Sequence, residues 1–207
     1  MINKFKVITI LIFAIIIANM SFASIEKNID PVKNNYKTAL VNGGDSIDDA
    51  IDFIENFPVN TEDLKLVVDM YHGSLLTMKA RDSWMPWNKL YYLNQGIDLM
   101  DDSLEKLENL KDHNPALLLE SIITRALTNV KIPSIFNRSK LASFDLNRAM
   151  SNKNFIHVDN ETKLKIYVYA ALYAEKDNEA VTAKQYLEKA KQINKSLTES
   201  IYNDRKK

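Results

Sequence analysis

The chain has 207 residues, with 27 basic against 27 acidic side chains and no cysteine. A formal charge of zero argues against the concentrated basic surface that nucleic acid demands, and the missing cysteine excludes disulfides, thiolate metal sites and cysteine nucleophiles. Only 4 glycines and 5 prolines are present, too few for the tight turns of a β-rich fold.

At the N-terminus Lys4 and Lys6 precede an unbroken apolar run, Val7 to Ala18, followed by the small residues Ser21 and Ala23. This is the layout of a secretory signal peptide cleaved after Ala23. The run is short of the roughly 20 apolar residues that a spanning helix needs. A lipoprotein signal would end before a cysteine, so acylation is excluded. Residues 1–23 are therefore expected to be removed, leaving a periplasmic or secreted protein with no membrane insertion. The alternative is an uncleaved signal that tethers the module to the inner membrane. Removing residues 1–23 takes away two lysines and no acid, so the mature chain stays close to neutral. Its size suits one domain with its own core.

Residues 24–35 are polar and read as a loose segment. Tyr36 to Asn42 predicts a short helix, ended by Gly43-Gly44. Asp45 or Ser46 is expected to cap a second helix, Ile47 to Phe57, in which Ile47, Ala50, Ile51, Ile54 and Phe57 recur at helical spacing. Pro58 stops it. Asn60 or Thr61 caps a third, to about Lys79, with Leu64, Val67, Val68, Tyr71, Leu75 and Met78 on one face. A break over Arg81 to Met85 precedes Pro86, which suits a first helical position. The fourth helix, to about Leu110, carries the stripe Leu90, Leu93, Ile97, Met100, Leu104 and Leu107. Asn114-Pro115 starts a fifth, to Val130, apolar on more than one side and expected to be the most buried. Further helices are expected over residues 140–150, 163–176 and 179–194, with residues 198–207 a frayed tail. The reading is all-α, about eight helices in antiparallel pairs.

Ala183, Leu187 and Ala190 keep the small–large–small spacing of one helix in a helix-turn-helix, and Tyr167, Ala170, Ala171 and Ala174 supply its partner. This segment resembles a tetratricopeptide repeat. Looser echoes fall at Ala50-Ile54-Phe57, Lys89-Leu93-Gly96 and Ala142-Leu146-Ala149, about 40 residues apart. The middle of the chain, with Gly73, Arg81-Asp82, Trp87-x-Lys89, Asn94-x-Gly96, Leu99-Met100-Asp101, Arg125, Pro133-x-x-Phe136 and Ala142-x-x-Asp145-Leu146, is similar to a family of uncharacterised exported bacterial helical-repeat proteins. Both resemblances imply a fold and no reaction: a short tetratricopeptide-like α-solenoid over residues 36–197, with Ala171, Ala183, Leu187 and Ala190 as structural repeat positions.

No catalytic spacing stands out. His72, His113 and His157 are far apart and form no helix-borne ligand pair. Gly73-Ser74 lies inside a helix, not on a nucleophile elbow. The acids Asp48-Asp49-Asp52 and Asp101-Asp102-Glu105 sit on polar helix faces, without the apolar cleft that raises a glycosidase acid. No metal and no cofactor are expected. Four residues remain. Arg81, Trp84 and Trp87 flank Pro86 and form either an aromatic–cationic patch for a peptide or another helix, or a wedge between helices; the wedge is preferred. Arg125 interrupts the most apolar helix and either bridges to Asp82, Glu120 or Asp145, or faces a groove and holds a carboxylate; the bridge is preferred. The expected function is a non-enzymatic exported scaffold or adaptor that binds a protein or peptide in the cell envelope, with Arg81, Trp84, Trp87 and Arg125 as candidate contacts. The alternative is a glycan-acting envelope enzyme with carboxylates from separate helices.

Overall fold

The computed structural model describes residues 29–206, which form eight α-helices joined by short links, with no strand among the described residues. The expected signal peptide lies outside them. The first helix, α1, spans 29–42. It begins earlier than expected, because Ile29 and Val32 are buried and continue the stripe of Tyr36, Ala39 and Leu40. Residues 29–35 are thus not loose. Their polar neighbours hide a stripe at helical spacing. Gly43, at φ 64, ends the helix in the left-handed conformation and donates its N–H to the Ala39 carbonyl at 2.9 Å.

Helix α2 (Asp45–Glu55) buries Ile47, Ala50, Ile51 and Ile54. Its N-cap is Gly44, with no side-chain bond, so Asp45 and Ser46 lie inside the helix and do not cap it. Helix α3 (Glu62–Asp82) starts at Thr61, whose side chain accepts from the Leu64 N–H. It reaches Asp82, so Arg81 and Asp82 form its last turn and not a break. Helix α4 (Pro86–Asn109) has Pro86 in its first turn. Helix α5 (Pro115–Asn129) is capped by Asn114, whose Oδ1 accepts from Ala116 N–H at 2.8 Å and Leu117 N–H at 3.4 Å. A single 3₁₀ turn (Ser134–Phe136) leads to α6 (Ser139–Ser151), and α7 (Asn160–Lys176) is capped by Asp159 through the Thr162 N–H at 3.0 Å.

Three consecutive hairpins, α3–α4, α5–α6 and α7 with the long C-terminal helix, are antiparallel. Cross-contacts show the direction: Lys79 lies over Tyr92, Arg138 meets Asn129, and Lys189 lies over Tyr167. Helix α3 also packs on α2 and α5, and α6 on α7. The core follows this chain of neighbours. One apolar cluster joins α1, α2 and α3, a second joins α3 to α7 around Met100, Leu104 and Ile122, and a third lies around Leu164, Val168 and Ala190.

The tightest crossing is between α3 and α4. A Cβ on Gly96 would stand 2.4 Å from the Gly73 carbonyl oxygen, and one on Gly73 would stand 2.7 Å from the Gly96 carbonyl oxygen. The two backbones touch where only hydrogen fits.

The last helix, α8 (Ala180–Lys206), is broken at Asn194, which is extended (φ −158, ψ 107). Asn194 Oδ1 accepts from the Leu197 N–H at 3.0 Å and so caps a new limb. That limb folds back on α7: Thr198 is buried, Lys206 pairs with Glu175 at 2.8 Å, and Tyr202 donates to the same carboxylate. Residues 198–206 are therefore packed helix and not a frayed tail. No helix among the described residues is long and apolar enough to cross a membrane.

Candidate functional site

The four candidate contacts separate into two places. Arg125 is buried on α5 at 9% exposure and faces α6. Its Nε donates to Asp145 Oδ2 at 2.8 Å and its Nη2 to Asp145 Oδ1 at 3.0 Å, a forked pairing. Its Nη1 reaches Asp101 on α4 at 3.2 Å. Arg138 forks onto the same Asp101, sharing Oδ1 with Arg125, at 2.7 and 2.8 Å, and donates to Asn129 Oδ1 at 3.0 Å. Arg148 joins Asp145 at 3.6 Å to Glu108 at 2.5 Å. Burial pushes the Asp145 carboxyl up, against the pull of Arg125 and Arg148. Every charged group in this seam has a partner of opposite sign, so Arg125 is a structural bridge and not a contact in a groove.

Trp84 and Trp87 do the reverse of the wedge expected of them. They are 80% and 64% exposed. Trp84 lies in the link before Pro86, and Trp87 opens α4. Helix α4 packs through Leu93, Gly96, Met100, Leu104 and Leu107. At about 100° per residue, Tyr91 lies nearly opposite Leu93 and Trp87 about a third of a turn from it, so both face outward. Leu90, expected in the buried stripe, and Tyr91 are also largely exposed. The result is an aromatic corner at the α3–α4 end. Arg81 stands beside it, half-exposed and paired with its neighbour Asp82 at 2.5 and 3.0 Å. Hydrogen bonding to Arg81 holds the Asp82 carboxyl below its ordinary value. Asp82 also accepts the Gly44 N–H at 3.2 Å, which anchors this turn to the start of α2.

Behind the corner lies a cavity of about 450 Å³. Its walls come from α3 (Ser74, Thr77, Met78, Ala80, Arg81), α4 (Pro86, Lys89, Leu90, Leu93) and the segment after α5 (Lys131, Ile132, Pro133, Phe136), and Tyr36 and Thr128 also line it. The polar groups of its wall form a closed chain. Thr128 Oγ1 donates to the Thr124 carbonyl at 2.8 Å, so Ser74 Oγ donates to Thr128 at 2.7 Å and the Tyr36 hydroxyl to Ser74 at 2.9 Å. Burial raises the Tyr36 phenol above its ordinary value. Thr77 donates back to the Ser74 carbonyl. No acid lines this cavity among the described residues. Lys131 is exposed at the wall. Desolvation, together with the charges of Lys165, Arg205 and Arg81, brings its pKa down to about 8.

Sequence reasoning missed the cavity. Lys131 is a lone lysine just past the end of α5, with no spacing to mark it. Tyr36, Ser74 and Thr128 meet only because α1, α3 and α5 pack together. Glu120 is likewise held from two sides, by Lys33 at 2.9 Å and by the Tyr71 hydroxyl.

The remaining candidates are structural or scattered. Asp102 and Glu105 join Glu62 around a shallow depression that also holds Lys106, Asn109 and Leu110. His72 lies 3.6 Å from Glu55, and His113 Nδ1 contacts the Leu110 carbonyl at 2.9 Å. No group of histidines and acids able to hold a metal occurs among the described residues. Of the four positions expected to mark a repeat, Ala171, Ala183 and Ala190 are buried and Leu187 is half-buried. No family model, curated protein or solved structure matches the chain.

Proposed function

We propose that the protein is a non-enzymatic helical-repeat adaptor of the cell envelope, tetratricopeptide-like in the stacking of its hairpins, that binds a peptide segment of a partner protein at the α3–α4 corner. The observation that carries this reading is the exposure of both tryptophans of the chain, 80% and 64%, on one corner together with Leu90 and Tyr91. Large rigid aromatic side chains left in water cost solubility and contribute nothing to the core, and such residues dominate binding energy where interfaces have been dissected. Lys89 and Arg81 flank the corner, so the matching segment carries apolar side chains next to one or more carboxylates. Stacked hairpins present extended surfaces suited to such a partner.

Carboxylate chemistry on glycans is less well supported. It asks for an acid in an apolar cleft with a second carboxyl about 5 to 10 Å away. The apolar cavity is lined by cations and hydroxyls, and Glu62, Asp102 and Glu105 surround an open depression instead. A random-peptide display selection against the purified protein tests the proposal. Enrichment of sequences that pair acidic with aromatic or aliphatic residues, lost against a Trp84→Ala/Trp87→Ala variant, is expected. No enrichment, or peptides held equally by that variant, would refute it.

A further inference from the structure

We propose that the cavity behind the aromatic corner is a second, separate site, which holds a free single-chain amphipathic anion: a fatty carboxylate with its tail between α3 and α4 and its head at Lys131. Three features select this chemistry. The volume, about 450 Å³, lies in the range of small-molecule sites, and Met78, Leu93, Ile132 and Phe136 give it hydrocarbon walls.

The hydroxyls in the apolar part of the wall offer a ligand no free donor, which leaves the cations, Lys131 first among them, as the donors of the site. The Thr128, Ser74, Tyr36 and Thr77 hydroxyls each already donate within the protein. A peptide threaded here would bury carbonyls without partners, at a cost of a few kcal/mol each. A hydrocarbon tail has no such requirement, which separates this site from the peptide corner outside.

The charge is one-sided. Among the described residues Arg81, Lys89 and Lys131 line the cavity and no acid does. Arg81 is engaged by Asp82, and Lys89 donates to the Arg81 carbonyl at 3.3 Å. No acid pairs with Lys131 among the described residues, and the cations that bear on it, Lys165, Arg205 and Arg81, all disfavour its charge. An ammonium held among like charges at the edge of an apolar space is complementary to one carboxylate.

The test is a titration of the purified protein with dodecanoate, 1-dodecanol and butyrate below their aggregation limits, read by calorimetry and by displacement of a fluorescent fatty acid. Dodecanoate is expected to bind once per chain, dodecanol about tenfold more weakly or worse, and butyrate not at all. Lys131→Gln is expected to bring dodecanoate down to the level of dodecanol. Leu90→Glu, at a half-exposed wall position that tolerates a charge, is expected to abolish binding, and both variants should melt as the parent does. Equal binding of the acid and the alcohol would make the site merely apolar and overturn the proposal. So would dodecanoate binding unchanged in both variants, or no binding at all. Phosphatidylglycerol vesicles that sediment the protein while free dodecanoate does not bind would reassign the cations to a membrane surface. Display-selected peptides lost while dodecanoate binding stands, or the reverse, would separate failure of the corner from failure of the cavity.

Discussion

The seam between α4, α5 and α6 and the corner between α3 and α4 use related groups in opposite settings. In the seam Arg125, Arg138 and Arg148 are closed off by Asp101, Asp145 and Glu108, and the Asp145 side chain has no exposure at all. In the corner two tryptophans, a leucine and a tyrosine face water, and the cavity behind them holds a cation, Lys131, that no acid pairs with among the described residues. Buried charge is tolerated only when it is paired and hydrogen-bonded, so the seam is committed to holding three helices in register. Exposed aromatic surface has no such commitment, and its affinity is left over for something outside the chain. The same reasoning gives stability to one region and, on the function proposed above, recognition to the other.

That division can be broken by substitution. The largest effect is expected at Arg125. Arg125→Ala leaves Asp145 buried with only the more distant Arg148, and loses about 3 to 5 kcal/mol of stability. Urea unfolding checks it, and a loss under about 1 kcal/mol would mean that the seam holds little. A seam that carries the fold also predicts that Asp145→Asn is damaging, because the forked pairing needs two acceptor oxygens.

Next in size is the glycine crossing. Gly96→Ala puts a methyl 2.4 Å from the Gly73 carbonyl oxygen. Overpacking should cost about 3 kcal/mol, offset by about 1 kcal/mol of helix propensity, for a net loss of about 2 kcal/mol. A stabilised variant would show that α3 and α4 do not approach so closely. A smaller effect is expected at the break in α8. Asn194→Ala removes the cap of the last limb and should cost about 1 kcal/mol, with faster amide exchange confined to residues 195–206. Unchanged exchange there would mean that Tyr202, Arg205 and Lys206 hold the limb without it.

Much of the fold was legible where the cause is local. Thr61 and Asn114 cap helices because a side-chain oxygen answers N–H groups two or three residues on, and Pro86 and Pro115 mark first turns for the same short-range reason. Bridging of Arg125 to Asp145 was among the expected pairs, since an arginine in an apolar helix must find an acid. What was not legible depends on packing between distant segments. Gly73 and Gly96 are both plain in the sequence, but their contact exists only once α3 and α4 cross. The first turns of α1 were hidden because Asp30, Lys33 and Asn34 dilute the stripe of Ile29 and Val32. The last limb was hidden because Asn194, read as a helix end, is also a helix start. Trp84 and Trp87 were expected to wedge between helices. They are exposed because no other helix covers the link before α4 or the outer face of its first turns, a property of the neighbours and not of the tryptophans.

The central claim, that the aromatic corner serves recognition and not the fold, is tested most directly by thermal melting of Trp84→Ala/Trp87→Ala beside the parent and Arg125→Ala. Exposed residues that hold nothing should cost no more than about 0.5 kcal/mol each, a shift of a few degrees at most for a chain of this size, while Arg125→Ala falls much further. A double tryptophan variant that melts as low as Arg125→Ala would place those rings in the core and contradict the account.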